Sequence, residues 1–131
     1  MAEIILSNRM QALTDMVTPG TVITDVGCDH GFVSVYLVQK GISPRVIAMD
    51  VRSGPLEHAR EHIREYGLED RIETRLSDGL HSLKTGEAAG MICAGMGGPL
   101  MEKILTEGRE QAKGFRELIL PVSYTHLTLP T

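Results

Sequence analysis

Apolar residues in this chain fall into two alternating patterns. Two short continuous runs, Thr21–Val26 and Arg45–Asp50, have the length and density of strands covered on both faces. Ile72–Leu76, Ala88–Ala94 and Leu118–Leu120 read as strands three to five. Between them apolar positions recur at helical spacing. Leu6, Met10, Leu13 and Val17 define a first helix behind the N-cap Ser7, and Pro19-Gly20 stops it. Phe32–Lys40 forms a second helix that ends near Gly41, with Pro44 barring continuation. A third starts at Ser53 with Pro55 in its first turn, buries Leu56, Ala59, Ile63 and Tyr66, and ends at Gly67. Pro99 opens a fourth, which stops at Gly108. Strand and helix alternate throughout, which predicts parallel βαβ units and an α/β fold.

Length and composition narrow the reading. The 131 residues bound the chain to one domain, and 42% hydrophobic residues suffice for a core. No run is long enough to span a bilayer, and the first ten residues are too polar for a signal peptide, so a cytoplasmic protein is expected. Cys28 and Cys93 each lie beside a strand end without metal-ligand spacing, and read as buried free thiols. The net charge of −4 argues against a nucleic-acid surface spread over the whole domain. A local basic patch could still draw on Arg9, Arg45, Arg52 and Arg75. His58 and His62 stand at i,i+4, but no third ligand lies nearby in sequence. A solvated pair, and no metal site, is expected there.

The candidate chemistry sits at strand ends, where ligands bind in open α/β sheets. Strand one runs into Asp25-Val26-Gly27-Cys28-Asp29-His30-Gly31, and a helix follows. Such a turn aims unpaired N–H groups and the positive end of the helix dipole at a ligand. Here the turn also carries two acids, Asp25 and Asp29. These repel a phosphate and suit a cationic group. The sign favours S-adenosylmethionine over a dinucleotide, whose pyrophosphate would meet Asp29. Asp50 ends strand two and suits a ribose diol; Asp78 ends strand three and suits an adenine amino group. Met96 and Met101 read as core packing. Arg9 could touch a phosphate or an acid of the site, or simply be a surface helix arginine.

Leu6-Ser7-Asn8-Arg9, Asp25-Val26-Gly27-Cys28-Asp29-His30, Gly54-Pro55, Ser77-Asp78-Gly79-Leu80 and Ala94-Gly95-Met96-Gly97-Gly98 occur together in this order. In order and spacing they resemble the bacterial tRNA (adenine-N1)-methyltransferases that modify adenine 22. The resemblance spans about Leu6 to Leu120. It implies a Rossmann-like class I methyltransferase fold, with a doubly wound, mostly parallel sheet that is incomplete here after strand five. It implies S-adenosylmethionine as donor and N1 of a tRNA D-arm adenine as acceptor. By position, Gly27, Asp29 and His30 would line the donor's methionine end, Asp50 the ribose, and Asp78 with Gly79 the adenine. Asp25 would brace the turn, and Cys28 and Gly95 complete the cofactor-binding set. Asp29 is the catalytic candidate, favouring the cationic product electrostatically. Gly97-Gly98 would let the target base approach closely. No Asn/Asp-Pro-Pro-aromatic loop of the kind used for exocyclic amines follows strand four.

The chain departs from that family in two places. Gly31-Phe32-Val33 stands where small or polar residues are usual. The family also continues past strand five into a helical C-terminal domain thought to hold tRNA, whereas here Leu120 is followed by Pro121 and an unusual tail. Leu118–Thr131 contains no Asp, Glu, Lys or Arg and resembles a translated sequencing adaptor. The expected organisation is an S-adenosylmethionine-binding catalytic domain over residues 1–121 and a non-native tail over 122–131. Other readings compatible with the residues are another class I methyltransferase, or a nucleoside-cofactor-binding domain without catalysis.

Overall fold

The computed structural model describes residues 3–121. In chain order these form α1 (Asn8–Thr14), β1 (Ile23–Val26), α2 (Phe32–Gln39), β2 (Val46–Asp50) and α3 (Ser53–Glu65). There follow β3 (Ile72–Leu76), β4 (Gly90–Ile92), α4 (Gly98–Glu107), α5 (Arg109–Ala112) and β5 (Glu117–Ile119). Among the described residues the strands make one parallel sheet in the order β3-β2-β1-β4-β5. β1 is central, aligning Ile23 with Val46 of β2 on one side and Gly90 of β4 on the other. The chain therefore reverses its direction of travel across the sheet between β1 and β4, and the crevice above such a switch is where ligands bind.

Period-two alternation sorts the strand residues into two layers of core. Ile23, Val46, Ala48 and Ile92 pack with Leu13, Val35, Leu56, Ala59 and Ile63 of α1–α3. Val26, Ile47, Met49, Met91 and Cys93 pack with Met101, Ile104 and Leu105 of α4. Helices thus cover both faces of the sheet, which is the doubly wound arrangement expected. It also explains why β1 and β2 are buried at every position. Local signals place the helices: the Ser7 hydroxyl accepts from the Met10 N–H, and Gly67, with φ 69°, stands just past the end of α3.

Long-range pairing revises the last third of the chain. β4 is Gly90–Ile92, inside the expected Ala88–Ala94, and β5 begins at the charged Glu117, not at the apolar Leu118. Glu117 is accommodated because its carboxylate accepts from the Thr18 N–H at 3.0 Å and the Thr18 hydroxyl at 2.8 Å. The short α5 was not anticipated, since Gly108 read as a terminator. The expected foreign tail, residues 122–131, lies outside the described residues. No helix among the described residues is long and apolar enough to cross a membrane.

Candidate functional site: an acidic turn beside an apolar cleft

The β1–α2 turn is a strained loop held by its neighbours. Gly27 and Gly31 have φ of 74° and 80°, and Asp29 takes φ 53° although it carries a side chain. Such a conformation persists only where surrounding contacts fix it. Here the fixing bonds consume the loop's own donors. Gly27 and Cys28 both donate N–H to the Met49 carbonyl, at 2.8 and 2.9 Å, and Gly31 donates to the Cys28 carbonyl at 2.8 Å. The Asp29 N–H donates to Asp50 Oδ2 at 3.0 Å. Gly27, Cys28, Asp29 and Gly31 are thus paired, so the turn offers fewer unpaired N–H groups to a ligand than expected. Pairing of Gly27, Cys28 and Asp29 to the end of β2 makes it a poorer phosphate cradle, which adds to the charge argument against a dinucleotide.

Three carboxylates gather at this turn. Asp25 is buried within β1 and accepts from the Ser34 hydroxyl of α2 at 2.7 Å. Burial pushes its carboxyl up to about 6 against the Ser34 hydrogen bond, and the charges of Asp50 and Asp29 push the same way. Asp50, at the end of β2, is only 2% exposed. Its Oδ1 accepts from the Arg52 N–H at 2.9 Å, and Arg52 Nε lies 3.3 Å from the same oxygen. The residue expected at the ribose thus also pins the turn, a structural task the sequence did not suggest. Asp29 is more than half exposed, with His30 Nε2 and Arg52 Nη2 at 3.9 and 3.8 Å from its carboxylate.

Beside this turn, a cleft opens between the loop after β3 and α4. Val26, Val51, Asp78, Gly79, Met96 and Leu100 contribute to its lining. Ser77 holds the β3 loop in place: its N–H donates to the Asp50 carbonyl, its hydroxyl donates to the Gly79 carbonyl, and the same oxygen accepts from the Ser82 N–H. Asp78 and Gly79 therefore sit in the cleft as expected by position. Gly95 is exposed and is not part of that lining, whereas its neighbour Met96 is. Met96 reaches over the turn so closely that a Cβ on Gly27 would meet its terminal carbon at 2.6 Å. The positive φ of Gly27 is what favours glycine there, and the contact places Met96 at the site as well as against the core. Val51 and Leu100, 59% and 47% exposed, were overlooked. Their signal was an apolar residue just after an acidic strand end, for Val51, or in the first turn of the helix that follows a glycine turn, for Leu100.

Other expectations are settled by packing. Cys28 and Cys93 are buried free thiols. Burial, followed by nearby carboxylates, drives the Cys28 thiol far above its ordinary range, and Cys93 is pushed up to about 12. Neither suits a nucleophile. The proposed basic patch does not form: Arg45 and Arg75 both bond Glu73, Arg75 also bonds Glu87, and Arg52 lies on Asp50. His58 is exposed and His62 half-buried, and both rings also pack against the turn. His58 stacks on His30 at 5.1 Å, and His62 stacks on Phe32 at 4.6 Å. Among the described residues, no group of three or more His, Cys, Asp or Glu side chains is placed to hold a metal ion.

Comparison with known proteins agrees with this geometry. Residues 6–129 match the family model described as a methyltransferase domain. The chain is 36% identical over 120 residues to the tRNA (adenine(22)-N(1))-methyltransferase of Bacillus subtilis, covering 92% of this chain and 50% of that protein. The crystal structure of the B. subtilis M1A22 tRNA methyltransferase TrmK superposes with a TM-score of 0.84 at 34% identity, over 88% of this chain and 50% of that one. M. capricolum TrmK, in complex with the cofactor product S-adenosyl-homocysteine, superposes with a TM-score of 0.80 at 28% identity, over 88% and 51%. The chain thus spans about half the length of these relatives. An acidic glycine turn at a parallel-sheet switch point, together with these matches, establishes that the chain belongs to the methyltransferase-domain family.

Proposed function

We propose that this chain is the donor-binding and methyl-transfer domain of a tRNA adenine-N1 methyltransferase that uses S-adenosylmethionine. The observation that carries the proposal is the gathering of Asp25, Asp29 and Asp50 around a turn in which the N–H groups of Gly27, Cys28, Asp29 and Gly31 are already paired. That arrangement disfavours an anionic ligand and favours a cationic one. A zwitterionic sulfonium nucleoside fits the rest of the edge. The relative solved with S-adenosyl-homocysteine supports the same ligand class.

In this reading Gly27, Cys28, Asp29 and His30 border the amino-acid end, and Asp25 braces the turn from below. Asp50 keeps lone pairs beyond those used by Asp29 and Arg52, and offers them to a ribose diol. Asp78 and Gly79 meet the adenine, with Val51 and Leu100 packing its faces, and Gly95 stays at the outer rim. When bound, S-adenosylmethionine supplies a methyl group activated on a sulfonium. Adenine N1 carries a lone pair in the ring plane, so no proton has to leave before attack and the site needs no general base. What the chain must supply is alignment of acceptor and donor and negative charge near the adenine that becomes cationic. Asp29, exposed at the mouth of the turn, is the group for that second task. The absence of an aromatic-bearing loop after β4 agrees with a ring-nitrogen target.

Two measurements test the proposal. Calorimetry should show binding of S-adenosylmethionine and none of a nicotinamide dinucleotide. Incubation with unmodified tRNA and labelled donor should place one methyl on a D-arm adenine. Transfer to a different nucleotide would replace the acceptor, and a chain that binds the donor yet never transfers would be a binding module.

A further inference from the structure

The histidines of α3 find no use in the chemistry above, yet they are locked onto the turn that carries it. His62 Nδ1 lies 2.8 Å from the carbonyl oxygen of His30. A carbonyl only accepts, so Nδ1 carries the proton and donates. Around this bond four rings pack as two pairs, each joining a residue at the turn to one on α3. His30 stacks on His58 with planes 16° apart, and Phe32 stacks on His62 with planes 27° apart. Beneath them Gly31 lies against Ala59 of the same helix, where an added Cβ would meet the Ala59 Cβ at 3.0 Å. His58, Ala59 and His62 thus present one strip of α3 to Asp29, His30, Gly31 and Phe32.

We infer that His62 is a positioning residue, which through the His30 carbonyl holds the β1–α2 turn in the shape needed by the amino-acid end of the donor. The inference rests on the donor assignment proposed above. The turn contains the left-handed Asp29, whose conformation costs energy and relaxes unless fixed from both sides. Asp50 fixes it from β2 through the Asp29 N–H. His62 fixes it from α3, one residue further on. The adenine end of the cleft is built separately, by Asp78 and Gly79 on the loop after β3 and Leu100 on α4. Loss of the His62 bond should therefore be felt at one end of the ligand and not the other.

Calorimetry with S-adenosylhomocysteine and with adenosine, which lacks the amino-acid end, separates the two ends. His62→Ala should weaken S-adenosylhomocysteine about fivefold to thirtyfold, the range expected for one lost hydrogen bond to a partly buried carbonyl. Adenosine affinity should stay within about twofold. His62→Asn, whose amide N–H can take the place of Nδ1–H, should recover most of the loss, whereas His62→Gln, with its amide one carbon further out, should not. Equal weakening of both ligands, or no weakening of either, overturns the positioning role, as does equal behaviour of the Asn and Gln variants. If His62→Ala does not fold, the Asn and Gln variants carry the comparison. Hydrogen exchange at the Asp29 amide gives a readout without ligand, and should accelerate in His62→Ala. A wild-type chain that binds neither ligand, with that acceleration still seen in His62→Ala, would sink the donor assignment and leave the role of His62 in shaping the turn intact.

Discussion

Two clusters of charge sit on this sheet, and they have opposite character. Along β3 the signs alternate in space: Arg45 meets Glu73 at 2.6 Å, Arg75 meets Glu73 at 2.8 Å, and both Arg75 Nη atoms meet Glu87. At the ends of β1 and β2 three carboxylates share one turn, with Arg52 as a neighbouring cation. The titration behaviour diverges accordingly. Hydrogen bonds from Arg75 hold Glu87 down to about 2 and lower Glu73, whereas burial raises Asp25 to about 6. A network that neutralises itself on an edge strand stabilises the fold and blunts the edge against pairing with other chains. A cluster that repels itself destabilises the fold and persists where a ligand relieves it. The second kind marks the site.

That contrast can be broken at the acidic end first. Asp25→Asn removes a buried group whose folded-state value lies about two units above its ordinary one, worth about 3 kcal/mol once the carboxyl is ionised. The direction follows from the raised value. The folded protein favours the protonated acid, so its contribution is full below about pH 4 and is lost as pH rises through about 6. Urea unfolding should therefore show the variant gaining on the wild type between pH 4 and pH 7, with a plateau above. A constant difference across that range would mean that folding leaves the Asp25 carboxyl unshifted. The amide oxygen can still accept from Ser34, so the helix contact survives.

Asp50→Ala should weaken donor binding by about 1–3 kcal/mol, since it strips a partner from the ligand and from two backbone N–H groups at once. Unchanged affinity by calorimetry would remove Asp50 from the site. Arg75→Ala tests the other cluster. It should lower stability by about 1 kcal/mol, less at high salt, because the pairs are partly exposed. Donor affinity should not move, and a change there would mean that the two clusters communicate. The smallest effect is expected at Val51. Its side chain is mostly solvent-facing, so Val51→Ala should leave the melting temperature alone and reduce donor affinity by under about 1 kcal/mol through lost apolar contact.

Much of this was legible in one dimension because local chemistry carries it. Continuous apolar runs bounded by Gly and Pro mark β1, β2 and the helices. Acids at the ends of consecutive strands in a parallel α/β pattern must share an edge, so Asp25, Asp50 and Asp78 could be placed together before any coordinates. The errors share a cause as well. The N–H groups of Gly27 and Cys28 looked free because their acceptor, Met49, is more than 20 residues away. Arg45 and Arg75 looked like a basic patch because their carboxylate partners arrive from β3 and the loop before β4. The ring contacts of His58 and His62 were not legible because the carbonyl that His62 bonds lies 32 residues away.

Hydrophobic spacing and turn residues, which act between near neighbours, were enough to specify the elements up to β3 and α4, the parallel α/β class, and the acidic, glycine-bearing edge with its preference for a cationic nucleoside. Strand order, the pairing that closes the turn, the apolar cleft of Val51, Met96 and Leu100, and the seat of His62 on the His30 carbonyl were decided only in three dimensions. Each depends on which distant donor reaches which acceptor once helices cover both faces of the sheet, and a chain read residue by residue contains no distances of that kind.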